Sequence, residues 1–299
     1  MRSTNDISLS DCKKISKKIR EEIFKPANSF KTTIFLCGAD KSQKDKMRFQ
    51  IAESLTDFWH KHWYDLIYPE DIFDELLYSS QSKDLLSLEG LLAESVDAIV
   101  LIPESPGSFA ELGAFANDEK LRNKLICIVD DKYKKDKSFI NQGPLKLVKN
   151  ANKHGLIFID PKRIDKEIGK ISTALGTMKK ASSKVKDKIT LLQTDNFLLP
   201  TIYLLEPVSK SILVSMVGNA MNDEANSFQA TTTALTILSK KRLVELTPNG
   251  YKLTSLGVDE CFSFQKKYTR IKTQDQTVTI DNLRLEILNL QNRKKKLKV

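Results

Sequence analysis

The chain has 299 residues, 40% of them hydrophobic and 29% charged, with a formal net charge of +10. That length allows two domains, each with its own core. No apolar run approaches the roughly 20 residues of a membrane span, and the start "MRSTNDISLSDCKKISKKIREE" lacks the apolar centre of a secretory leader, so a cytoplasmic protein with no membrane partner is expected.

In chain order, a lysine-rich helical segment over about Leu9–Phe24 ends before Pro26. Short runs rich in β-branched and aromatic residues then recur at Thr32–Gly38, Asp65–Pro69, Ala98–Pro103, Lys124–Asp130 and Gly155–Asp160. Helix-length segments separate them at about Ser42–Trp59, Leu85–Ser95, Phe109–Leu121 and Phe139–Lys149. Strand, helix, strand in this rhythm predicts parallel pairing with right-handed crossovers, an α/β doubly wound sheet. The ligand of such a sheet sits at the carboxyl ends of its strands. Here those ends read "CGAD", "YPED" and "PESPGS".

After a polar, lysine-rich closing stretch, a second apolar region begins at "NFLLPTIYLL". "SILVSMVGNAM" and "SFQATTTALTILSKKRL" read as amphipathic helices. Short strands at Leu243–Leu246 and Tyr251–Thr254 follow, joined by "TPNG", whose Asn and Gly both tolerate positive φ. Helix, helix, hairpin is the order of a winged helix-turn-helix, and Lys240, Lys241 and Arg242 at the end of its second helix are placed to meet phosphates. The other use of such a module is protein–protein contact or dimerisation. The basic excess, denser after Lys186 and ending in "NRKKKLKV", favours a polyanionic partner. These signals divide the chain into an N-terminal helical segment (1–30), an α/β domain (31–175), a connector (176–195) and the helical domain with its basic tail (196–299). The cysteines Cys12, Cys37, Cys127 and Cys261 and the three histidines have neither disulfide-framework nor zinc-ligand spacing, so no metal is expected.

Chemistry concentrates at "LIPESPGSFAELGAF". An apolar run stops at a Pro-Glu-Ser-Pro-Gly-Ser turn, where Gly107 permits close approach and Ser108 can cap a helix, a setting suited to a phosphate or ribose edge. Glu111 follows one helical turn later. It is either part of a wet helix face or a carboxylate that attacks an anomeric carbon or stabilises an oxocarbenium ion.

The stretch "SPGSFAELGAFAN", preceded by "VDAIVLIPE" and followed by "KLICIVD", resembles the core motif of the nucleoside 2-deoxyribosyltransferase-like superfamily. The resemblance implies that Glu111 is the nucleophile and that Gly107, Ser108, Leu112 and Gly113 are its motif neighbours. Two positions depart from the superfamily's pattern. Ser105 stands where an aspartate recognises or protonates the leaving base, and Phe35 where a tyrosine is usual. A cationic leaving group such as the nicotinamide of NAD needs no proton on departure, so losing an acid costs it less.

Across nearly the whole chain, "TIFLCGAD", "YPEDIFDELL", "LLSLEGLLAESVDAIVLIPESPGSFAELGAFAN", "SFINQGP" and "FLLPTIYLL" with a terminal winged helix are similar to effector proteins of retron anti-phage systems. That resemblance implies a toxin that cleaves an N-glycosidic bond, with NAD as substrate rather than cofactor and with no cofactor required. It further implies association with a retron reverse transcriptase and its multicopy single-stranded DNA with attached RNA, in a higher-order complex. On this reading Gly38 and Asp40, Glu70 and Asp71, Ser105, Gly107 and Ser108, and Asn141 and Gln142 line the substrate site around Glu111. Local turn and cap roles are the competing account of Asp40, Glu70, Asp71, Asn141 and Gln142. Two other functions remain open, a transferase or glycosylase acting on nucleotide pools and a non-enzymatic ligand sensor coupled to a winged-helix regulator.

Overall fold

The computed structural model describes residues 8–28, 31–57, 63–70, 95–182, 189–267 and 280–289. Residues 85–94 of the predicted helix Leu85–Ser95, together with Asp71, His60, His62 and the basic tail, lie outside the described residues. The chain divides into two units, one of residues 31–186 and one that joins residues 1–30 to 187–299.

In the first unit, strands β1 (Thr32–Cys37), β2 (Tyr64–Ile67), β3 (Ala98–Leu101), β4 (Leu125–Asp130) and β5 (Leu156–Ile159) form a parallel sheet in the order β2-β1-β3-β4-β5. Every residue of β1 and β3 is buried, which is why Ile34–Cys37 and Ala98–Leu101 are continuously apolar instead of alternating: both faces are covered. One face packs against α2 (Met47–Thr56) and α5 (Ile164–Ser182), with Ile34, Leu36, Val100, Ile126 and Ile128 meeting Ile51, Leu55, Ile171 and Leu175. Helices α3 (Pro106–Asn117) and α4 (Pro144–Ala151) pack together and follow β3 and β4 in chain order. At the other end of the strands, the buried Asp97 accepts from Thr33 N (2.9 Å) and is approached by Lys179 of α5, which also bonds the Lys31 carbonyl.

Several element boundaries differ from the sequence reading for local reasons. The helix expected from Ser42 starts at Met47, because Asp40 Oδ1 accepts from Ser42 N (2.8 Å) and turns the chain first. The segment Phe139–Lys149 is broken at Gly143 into a single turn, Phe139–Gln142, and α4, with Pro144 at the first helical position. The domain boundary expected at residue 175 falls inside α5, which runs to Ser182.

In the second unit, α1 (Leu9–Lys18) continues through a π-helical stretch, Ile19–Phe24, to Asn28. It lies on α7 (Lys210–Met221), where Ser16 Oγ donates to the Met216 carbonyl (2.7 Å). The N-terminal segment therefore belongs to the C-terminal unit and not to a separate body. Helices α6 (Thr194–Leu205) and α8 (Glu224–Lys240), then strands β6 (Val244–Thr247) and β7 (Gly250–Leu253) and helix α9 (Ser255–Lys267), complete the order helix, helix, helix, hairpin, helix. Residues 280–289 are helical and bury Ile280, Leu283 and Ile287 in the same core as Ile15, Ile19 and Phe197. The hairpin turn has only one residue at positive φ. Gly250 takes +126° where its backbone passes the Val208 carbonyl, whereas Asn249 does not use the left-handed region that "NG" suggested.

Candidate active site

With β1 and β3 adjacent while their crossovers lead in opposite directions, the switch point of the sheet lies between the ends of these two strands. The β1–β3 ladder closes with Ile102 N donating to the Cys37 carbonyl (3.0 Å), and Pro103, which has no N–H, follows it. Ser105 is the N-cap of α3: its Oγ accepts from Ser108 N (3.2 Å) and lies 3.3 Å from the Gly38 carbonyl oxygen across the crevice. The Ser108 hydroxyl accepts from Glu104 N and Ser105 N (3.0 and 2.9 Å) and donates to the Ser105 carbonyl (2.8 Å). It is fully buried, so its capacity is met inside the turn, which it shapes. Ser105, which the sequence reading set against an aspartate, thus serves as a helix cap, and a serine suits that role.

Gly107 is exposed, and a Cβ added there would meet nothing within 4 Å, so the backbone at the start of α3 is open to a ligand. Glu111 lies four residues further on, hence on the same side of the helix. It is half-buried, and its Oε2 is shut away from solvent. Phe35 is wholly buried inside β1. Gly38 has a packing reason to be glycine, since a Cβ would come within 3.0 Å of Arg48 Cβ and Cδ.

Two residues that the sequence reading did not assign, or named only in passing, organise this rim. Arg48, 3% exposed, donates to the carbonyls of Leu36 (2.8 Å) and Ala39 (2.6 Å) and forms a bidentate pair with Glu70 (2.9 and 2.8 Å). It ties the end of β1 to the segment after β2. The Glu104 carboxylate accepts from Met47 N and Arg48 N, both at 3.0 Å, and so occupies the N-terminus of α2 with a protein anion. A cation in the first turn of a helix, where the dipole disfavours it, was the available hint that Arg48 has a tertiary partner.

The remaining candidates separate. Asp40 is exposed, its carboxyl held below the ordinary carboxylate range first by the Ser42 hydroxyl and then by the Ser42 N–H, so a local turn accounts for it. Glu70 is the partner of Arg48. Asn141 lines a cavity of about 600 Å³ at the ends of β3 and β4, bounded also by Glu104, Phe109, Asp130, Tyr133 and Asp136. Gln142 is exposed and Glu111 does not line this cavity.

In the other unit, Lys240, Lys241 and Arg242 are exposed at the end of α8. Arg242 takes a left-handed conformation (φ 57°) that ends the helix, and its carbonyl accepts from Thr254 Oγ1 (2.7 Å). The opposite end of α8 is acidic, with Asp223 as N-cap and Glu224 following. Among the described residues no helix is long and apolar enough to cross a membrane.

The parallel sheet, its order and the helices around it define a doubly wound, Rossmann-like α/β protein joined to a largely helical unit. Comparison with known proteins adds three likenesses. The model of the STM3845 retron effector protein family matches residues 40–246. An Escherichia coli protein named as a ribosyltransferase/DNA-binding protein of retron Ec86 is 37% identical over 292 residues, covering 92% of this chain and 90% of that protein. A protein of the same designation from retron Ec73, also of Escherichia coli, is 35% identical over 138 residues, covering 44% of this chain and 43% of its own length. The chain belongs to the STM3845 retron effector family.

Proposed function

We propose that the α/β unit is an N-glycosidase that hydrolyses NAD to nicotinamide and ADP-ribose, acting as the toxin of a retron anti-phage system. The observation that carries the reading is the placement of Glu111 one turn beyond the open Gly107 backbone at the switch point of the sheet. The name ribosyltransferase borne by the two relatives agrees with glycosyl chemistry. In the reaction, the C1′–N bond breaks with its electron pair passing to the pyridinium nitrogen, so nicotinamide leaves neutral. Glu111 bonds to C1′ or stabilises the oxocarbenium ion, and water then adds at C1′, displacing the Glu111 carboxylate where it has bonded, and releases a proton to solvent. No acid is needed for departure, in keeping with Ser105 acting as a cap instead of carrying a carboxyl.

The helical unit reads as a winged helix that docks phosphates of the retron's DNA and RNA through Lys240, Lys241 and Arg242. The acid at the start of α8 argues against seating that end on a phosphate backbone. Association with the reverse transcriptase in a larger complex is part of the same proposal.

Incubating the purified protein with NAD and, separately, with deoxynucleosides tests the enzymatic half. Free nicotinamide with intact deoxynucleosides is expected, and Glu111→Gln lowers its release by about a thousandfold or more. Base exchange on deoxynucleosides would instead establish the transferase.

A further inference from the structure

The cavity at the ends of β3 and β4 is distinct in position from the surface that carries Glu111. Phe109 lines it, and Glu111 follows two residues later, about 200° around α3. Between the two runs the Glu104–Ser105 turn, tied to α2 on one side and near Gly38 on the other. The start of α3 therefore stands between the cavity and the surface that carries Glu111.

The chemistry of this cavity is that of a site for an aromatic base. Its volume, about 600 Å³, is in the range of small-molecule pockets. Phe109 and Tyr133 keep 42% and 46% of their surface exposed there. The Tyr133 ring is steadied on one side by the Lys132 ammonium, 4.7 Å from its centroid, which is itself paired with Asp130 at 2.8 Å. Asn141 Nδ2 donates to the carbonyls of Tyr133 (2.8 Å) and Asp136 (2.7 Å), which fixes the amide and assigns Oδ1 as an acceptor. The N-terminus of α2 nearby already holds the Glu104 carboxylate, and Lys132 is paired with Asp130, so neither of these positions offers a phosphate a free partner. What fits is a flat heterocycle with an exocyclic amine, whose phosphates stay outside.

We infer that this cavity binds the adenine of an adenine nucleotide, packed against Tyr133 and Phe109 with its amine donating to Asn141 Oδ1. The assignment rests on the reading of NAD as substrate, since it places the adenosine half of the dinucleotide on one side of the α3 start and the glycosidic bond on the other.

The test is binding of AMP to the full-length protein by calorimetry, with nicotinamide mononucleotide as the ligand that lacks adenine. Wild type binds AMP, and Tyr133→Ala weakens AMP about tenfold while leaving nicotinamide mononucleotide unchanged. Tyr133→Phe retains AMP binding because the ring is kept, which separates a lost stacking surface from a lost fold. AMP that fails to bind wild type, or binds Tyr133→Ala equally well, overturns the inference whatever the protein does to NAD. Nicotinamide release from NAD is scored separately: its absence refutes the glycosidase reading even where AMP binding follows Tyr133.

Discussion

Helices α3 and α8 carry the candidate chemistry of the two units, and they begin in opposite ways. The start of α3 is uncharged, built from a serine capping box with an exposed glycine beside it, whereas α8 starts with two acids. A third helix, α2, begins on a carboxylate supplied by another strand end. An anionic ligand is tolerated at the first, repelled by the second and pre-empted at the third. Helix termini of the same backbone geometry thus diverge in function through their first few side chains, and the α3 terminus stands one turn before the carboxylate of Glu111.

Perturbing the side chains that set this difference gives effects of descending size. Replacing Arg48 by Met takes the buried donor away from the Leu36 and Ala39 carbonyls and the partner from the half-exposed Glu70, and the expected cost is about 2–3 kcal/mol in the stability of the α/β unit, read as faster amide exchange in β1. Arg48→Lys recovers only part, because an ammonium cannot reproduce the bidentate fork. Glu104→Gln keeps an acceptor at the α2 N-terminus but removes its charge, and a loss of about 1 kcal/mol is expected by thermal unfolding. In the helical unit, Lys240→Ala with Lys241→Ala is expected to flatten the log–log salt dependence of retron DNA binding by about two. An unchanged slope would move the contact elsewhere.

The smallest effect is in acid. Glu286 is held below its ordinary value of 4.5 first by its hydrogen bond to Lys18 and further by Lys14, both on α1. A lowered folded value means that the stabilisation is complete above the unfolded value and is lost as pH falls through the folded one. Slight loosening of residues 280–289 from α1 below pH 4.5 is therefore expected, visible in exchange of α1 amides and absent in Glu286→Gln.

The sequence carried the sheet well, because strands covered on both faces are largely apolar without alternation, and Ile34–Cys37, Ala98–Leu101 and Leu125–Val129 are so. It carried the turn before Glu111 for a related reason: Ser105, Pro106 and Ser108 form a local cap that needs no distant partner. What it did not carry was tertiary. Arg48 in a helix and Glu104 in a turn look like ordinary surface charges until the fold brings β1, β3 and Glu70 together around them. Asp40 and Asn141 show the converse. Each has a polar side chain at a rim, yet the bonds of Asp40 are to its own turn and those of Asn141 Nδ2 to its own loop, with only Asn141 also lining the cavity. The N-terminal helix gave no sign in sequence that it completes a core with residues two hundred positions away, because an amphipathic face does not name its partner.

The most direct test of the account compares NAD and nicotinamide in infected cells carrying the whole retron system with either the natural chain or Glu111→Gln. Loss of NAD with a matching rise in nicotinamide for the natural chain, and steady NAD for the variant at equal protein level, is the predicted result. Equal depletion in both would contradict the assignment of Glu111 and, with it, the reading of the β1–β3 rim as the place where the sugar is cut.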